Sequence, residues 1–172
     1  MKDNLKYVGD PKAQPVDGLD KVLGRAKYVG DMSLAGMLHA KILTSPVPHA
    51  KILKLDTSPA LDVPGVLAVI TSDDFVENGP LGFPIKDAFV LAHKKVRYAG
   101  DPIATVAAET LEAAEAGIKA IILELEELPT ITTPEDALKE DAPLIPLEAP
   151  QKKGNLCDFL IVRNGNPDPV LD

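Results

Sequence analysis

Sixteen prolines lie scattered along all 172 residues of this chain, and they constrain its fold more than any other feature. Proline lacks the backbone N–H that a helix interior or a central strand needs, so each one ends an element or sits at its edge. A bundle of long helices is thereby excluded, and the chain must be assembled from many short elements. Aromatic residues are scarce (four Phe, three Tyr, no Trp), which leaves the core to Ile, Leu, Val and Ala. An apolar share of 45% excludes wholesale disorder, and at about 100–200 residues per domain the length supports one core with a tail. No apolar run approaches the roughly 18 residues of a membrane-spanning helix. The net charge of −8 argues against a nucleic-acid binder, which needs a basic patch. Met1 to Lys6 has no apolar segment behind its charges, so no signal peptide is expected and the cytoplasm is the expected location.

Read in order, the residues predict an α+β fold of about six strands with three or four short helices. The strands Leu38–Thr44 and Ala50–Asp56 flank the turn Ser45-Pro46-Val47-Pro48, and the pentapeptide His-Ala-Lys-Ile-Leu occurs in both, at 39–43 and 49–53. That repetition predicts a hairpin of neighbouring strands with similar burial. Ser58 as N-cap with Pro59 at the first helical position predicts a short helix ended by Pro64-Gly65. The β-branched run Val66–Ile70 predicts a strand buried on both faces. Ser72-Asp73-Asp74-Phe75 predicts a capped helical turn, and 78–84 a loop. After the turn Gly100-Asp101-Pro102, the best-defined unit is a strand from Ile103 to Ala108, a helix capped by Thr110, and a strand from Ile121 to Glu126. In that helix Leu111, Ala114 and Ile118 form one apolar face, and Gly117 costs about 1 kcal/mol against Ala, which predicts close approach to a sheet. If the two strands were parallel neighbours, the crossover would be right-handed. Thr133-Pro134-Glu135-Asp136 opens a last short helix. The expected organisation is an arm over 1–15, the domain over 16–148 and a loosely ordered linker over 149–172.

Few residue constellations carry chemistry. His39, His49 and His93 show no i, i+4 pairing, so they are expected to pack rather than ligate a metal. Cys157 is alone, which excludes a disulfide framework and a cysteine metal cluster, and no Gly-x-Ser-x-Gly is present. Alternation places Glu124 and Glu126, beside Glu127, on the wet face of a strand, where carboxylates are solvated rather than paired for acid–base work. Asn164-Gly165-Asn166-Pro167-Asp168 lacks the ligand spacing of a calcium loop. Gly79-Pro80-Leu81-Gly82-Phe83-Pro84 places prolines where a phosphate loop needs N–H donors. From the residues alone, no catalytic, cofactor-binding or metal residue is assigned.

Strings of residues carry more. Val16-Asp17-Gly18-Leu19-Asp20-Lys21-Val22-Leu23-Gly24-Arg25-Ala26-Lys27-Tyr28-Val29-Gly30-Asp31-Met32 resembles the opening of the molybdenum-binding large subunit in the xanthine dehydrogenase/aldehyde oxidase family. Gly36-Met37-Leu38-His39-Ala40-Lys41-Ile42-Leu43-Thr44-Ser45-Pro46, with Pro48-His49-Ala50-Lys51-Ile52, continues the resemblance. Pro64-Gly65-Val66-Leu67-Ala68-Val69, then Val96-Arg97-Tyr98-Ala99-Gly100-Asp101-Pro102-Ile103-Ala104, then Glu127-Leu128-Pro129 with Pro134-Glu135-Asp136-Ala137-Leu138 follow in order, covering about residues 15–140. The resemblance implies an α/β-hammerhead domain at the start of a molybdenum hydroxylase large subunit. In that family molybdenum held by a pterin dithiolene hydroxylates aldehydes or heterocycles, and a glutamate serves as base. Iron–sulfur and flavin centres in partner domains carry the electrons away. No position here matches a pterin-contacting loop or that glutamate, and Thr44 stands where many relatives carry Arg. The expected role is therefore structural: packing against the molybdopterin-binding domains and the iron–sulfur subunit, with no activity in this chain alone. A freestanding interaction or regulatory module reusing the fold is the alternative.

Overall fold

The computed structural model describes residues 15–82, 86, 88–145 and 154–156. They fall into an N-terminal unit ending at Met37 and a body beginning at Leu38. The first unit holds helix α1 (Gly18–Val22) and a 3-10 turn at Val29–Asp31, where the Asp31 carboxylate accepts the Tyr28 N–H at 3.0 Å. Neither element has a buried residue.

The body is two three-stranded antiparallel sheets with short helices, which is the α+β class expected. One sheet, A, takes β1 (His39–Thr44), β5 (Pro102–Ala108) and β3 (Val66–Thr71), with β5 central. The other, B, takes β4 (Lys95–Val96), β2 (Ala50–Asp56) and β6 (Ile122–Glu127), with β2 central. Helices α2 (Ser58–Leu61), α3 (Leu111–Ala120) and α4 (Pro134–Ala137) complete the body, with a 3-10 stretch at Ser72–Asn78. The cap of α2 is Thr57, one residue before the Ser58 expected. Thr110 and Thr133 cap as expected, their hydroxyls accepting the N–H groups of Ala113 and Asp136.

Two expectations fail. Among the described residues β1 and β2 form no hairpin: β1 pairs with β5, and β2 with β4 and β6. Pro46 and Pro48 offer no N–H, and Ser45 is pinned instead to the 98–101 turn, donating to Asp101 O and accepting from Gly100 N, both at 2.9 Å. The repeated pentapeptide also has opposite parity in its two copies. Lys41 and Leu43 are half-buried where Lys51 and Leu53 are exposed, and His39 is exposed where His49 is buried. The run Val66–Ile70 is not buried on both faces: Leu67, at a register shift, is exposed and the other four residues are only half-buried. Finally, β5 and β6, which flank α3, lie in different sheets, so the crossover rule for parallel neighbours does not apply.

Gly117 explains how α3 meets sheet A. A Cβ there would stand 2.8 Å from Val106 Cγ1 and 3.0 Å from Val66 Cγ2, so only glycine lets the helix backbone come this close. Around that contact Ala60, Ala104, Val106 and Ile121 form one buried cluster, with Val69 and Ile118 against it. A second cluster, Ala50, Ala92, Val96 and Ile103, lies against the inner face of sheet B through Ile52, Leu123 and Leu125. The outer face of sheet B is charged, with Lys51 and Glu126 paired across the strands at 3.4 Å.

Candidate functional site

A dense polar construction in the body surrounds the turn Arg97–Asp101. Gly100 takes φ +90°, a left-handed conformation that a side chain would strain. The turn closes as Asp101 donates its N–H to Tyr98 O at 3.1 Å, while the Asp101 carboxylate accepts the Arg97 N–H at 2.9 Å. Asp101 is 7% exposed. Burial pushes its carboxyl above the ordinary range, against the opposing pull of the Arg97 N–H and positive charge. The Arg97 side chain also holds backbone carbonyls: Nε donates to Ile145 O at 3.1 Å and Nη1 to Lys95 O at 3.2 Å. Lys95 Nζ donates to Leu144 O. Asn155 then ties the same segment down, accepting from Ile145 N and donating to Ala137 O and Pro143 O. The cations therefore clamp backbone carbonyls of 144–145 onto β4.

His49, at the start of β2, is the buried member of this neighbourhood. Its Nδ1 lies 2.7 Å from Pro129 O, and a carbonyl only accepts, so the neutral ring carries its proton on Nδ1. Nε2 is then a bare acceptor, buried and without a hydrogen-bond partner among the described residues. Burial is the main force holding the imidazole below its ordinary pKa, the Pro129 bond opposes it, and Lys95 and Arg97 add to the lowering. A cavity of about 180 Å³ borders His49, Arg97, Tyr98, Thr130 and Thr132, and a second of about 100 Å³ adjoins Phe89, Arg97 and Asp101.

The other two histidines differ in their surroundings. His93 touches Ser72 Oγ at 3.3 Å and Asp73 Oδ1 at 3.8 Å, but through the same nitrogen, Nδ1. A nucleophile–base–acid relay needs the hydroxyl and carboxylate on opposite ring nitrogens, so this grouping is not one. His39 is exposed on β1. Glu124, Glu126 and Glu127 are exposed on β6, in agreement with the expected wet face. Thr44 is exposed beside the β1–β5 register shift, opposite Pro102. Cys157, the 164–168 string and Phe83-Pro84 lie outside the described residues. Sequence reasoning missed Arg97, Asp101 and the burial of His49. The available signal was the Gly100-Asp101-Pro102 turn, an acid placed directly before a strand that is buried in the core.

The described residues do not fit a molybdenum–pterin group. The two cavities beside Arg97, at about 180 and 100 Å³, fall below the roughly 300 Å³ at which ligand sites begin. Arg97 Nε and Nη1 face carbonyls rather than open space, and no cluster of three His, Cys, Asp or Glu exists among the described residues. No helix among them is long and apolar enough to cross a membrane.

Comparison with known proteins is specific. Residues 23–129 match the family described as aldehyde oxidase and xanthine dehydrogenase, a/b hammerhead domain. The chain is 39% identical over 159 residues to a probable xanthine dehydrogenase subunit of Bacillus subtilis, covering 92% of this chain and 21% of that one. It is 45% identical over 145 residues to the nicotinate dehydrogenase large molybdopterin subunit of Eubacterium barkeri, covering 84% of this chain and 34% of the relative. The fold superposes on a crystal structure of Cu,Mo-CO dehydrogenase with a TM-score of 0.71 at 33% identity, over 77% of this chain and 17% of that one. The chain thus spans about a fifth to a third of the length of these curated relatives.

Proposed function

The chain belongs to the aldehyde oxidase and xanthine dehydrogenase a/b hammerhead family, and from that premise we propose that it is an assembly domain of a molybdenum hydroxylase large subunit. In this reading residues 16–148 hold no cofactor themselves. They pack against the molybdopterin-binding portion of the large subunit and the iron–sulfur subunit, and a reducing cytoplasm suits the single cysteine. The observation that carries the reading is the pairing of a well-packed hammerhead body with cavities and donors that do not suit a pterin. The polar clamp of Arg97, Lys95 and Asn155 then serves rigidity: it fixes 143–145 to β4, so that the body presents fixed surfaces to its neighbours.

The test is a hybrid subunit. The 159 matching residues of the Bacillus subtilis relative are replaced by this chain, and molybdenum is measured in the purified protein. Retention of molybdenum by the hybrid, with none in the isolated chain, is the expected result. A folded hybrid devoid of molybdenum, or stoichiometric molybdenum in the isolated chain, overturns the reading.

A further inference from the structure

β3, Val66–Thr71, holds no charge, no proline and no glycine, yet it lies at the end of sheet A. Among the described residues no strand pairs with its outer edge. Thr71 shows which backbone groups face that edge: its N–H turns away from β5 to the Asp74 carboxylate at 2.7 Å. Backbone groups alternate in direction along an antiparallel strand, so Val69, two residues earlier in the same unbroken register, turns its N–H and C=O outward too. Ala68 and Ile70 direct theirs to β5. The register shift lies between Val66 and Ala68, which leaves 68–71 regular. A regular, uncharged edge is a template for another strand, and folded proteins ordinarily blunt such edges with charge, shortness or cover. The other three edges of the two sheets are blunted in those ways. β1 carries Lys41, whose Nζ reaches Glu115 at 3.1 Å. β6 carries Glu124, Glu126 and Glu127. β4 is two residues long, with Lys95 and Arg97 holding 144–145 against it.

We propose that β3 is a self-association edge, pairing antiparallel with β3 of a second copy of this chain across a two-fold axis at Val69. Charge selects both the edge and the occupant. A two-fold contact sets a surface against itself, so an edge that carries one sign of charge meets the same sign and is repelled. Among the described edges β3 alone carries none. Centred on Val69, the pairing sets Ala68 of one copy opposite Ile70 of the other and joins the two Val69 residues by a pair of main-chain hydrogen bonds. Two three-stranded sheets become one of six strands, and the half-buried Val69 and Ile70 are covered on their open side. The contact is short, which places it in the weak, transient class. Each copy carries a net charge of −8, so general repulsion opposes the pairing and salt, by screening, strengthens it.

The experiment uses the full chain, with sedimentation and residue-resolved amide exchange followed from about 10 µM to about 1 mM protein. The expected result is a passage from monomer to dimer within that range, shifted to lower protein concentration in about 0.5 M salt. Exchange of the Val69 amide should slow about 100-fold along the same concentration curve, while the Ala68 and Ile70 amides are slow throughout. Leu67→Lys places a charge on the edge at a residue that is 55% exposed, and is expected to keep the protein monomeric. Leu61→Lys, on α2 and 53% exposed, is the control and is expected to dimerise as the parent does. A parent chain that stays monomeric at the highest concentration in salt overturns the proposal. A dimer whose Val69 amide exchanges freely, or one that Leu67→Lys leaves intact, puts the contact elsewhere and overturns it as well. Protection of Val69 that does not change with concentration makes the occupant a segment of the same chain, and the second copy is then the wrong partner.

Discussion

His49 shows how one residue type acquires its role from its surroundings. The same His-Ala-Lys-Ile-Leu string exposes His39 and buries His49, so nothing within the string decides which ring is burdened. Because its folded pKa lies below the ordinary 6.5, the unfolded chain binds the proton more tightly. Stability is then complete above about pH 6.5 and falls as pH drops through the lowered folded value. A buried imidazolium beside Lys95 and Arg97 is what the acid side must create. We expect His49→Gln to flatten that acid slope in urea titrations between pH 7 and 5, measured against His39→Gln, which should leave it unchanged. At neutral pH, His49→Ala should cost about 2 kcal/mol through the lost Pro129 bond and the space left behind. An equal acid slope in the His49→Gln protein would count against this assignment.

Among the elements, those with local causes were readable in the sequence, and those with distant causes were not. Thr110 and Thr133 announce their helices through their own hydroxyls, and the alternation of β6 separates Leu123 and Leu125 from Glu124 and Glu126. Gly117 was readable as a close approach, although not which strands it meets. Strand pairing was not readable, because β1 finds its partner some sixty residues downstream and the tempting repeat sits in two different sheets. The clamp at Arg97 escaped for the same reason, since its acceptors include a backbone carbonyl of a segment 48 residues away. The α3 contact yields a direct test. Gly117→Ala gains about 1 kcal/mol of helix propensity but drives a methyl into buried Val106, and overpacking of this kind costs about 1–3 kcal/mol. The net expectation is a destabilisation of about 1 kcal/mol in denaturant melts, whereas Ala116→Gly, on the same helix, should lose only the propensity term. A stabilised Gly117→Ala protein would show that the helix sits farther from the sheet.

For the molecule as a whole, the topology bears on how it is made. Among the described strands no two that are consecutive in sequence pair with each other. A ribosome delivers β1, β2 and β3 long before β5 and β6, so the three early strands emerge with unpaired edges and no partner within reach. At about 5–20 residues per second, the interval between the appearance of His39 and Glu127 lasts roughly 4–18 s. For that time the repeated Ala-Lys-Ile-Leu segments are open to mispairing with one another, or with the next chain on the same message. Stalled ribosome complexes ending at residue 100 should be protease-sensitive throughout. Complexes stalled so that residue 130 has cleared the exit tunnel should gain protection of β1 and β2 together in one step, as befits a body whose two sheets are each completed only by late strands.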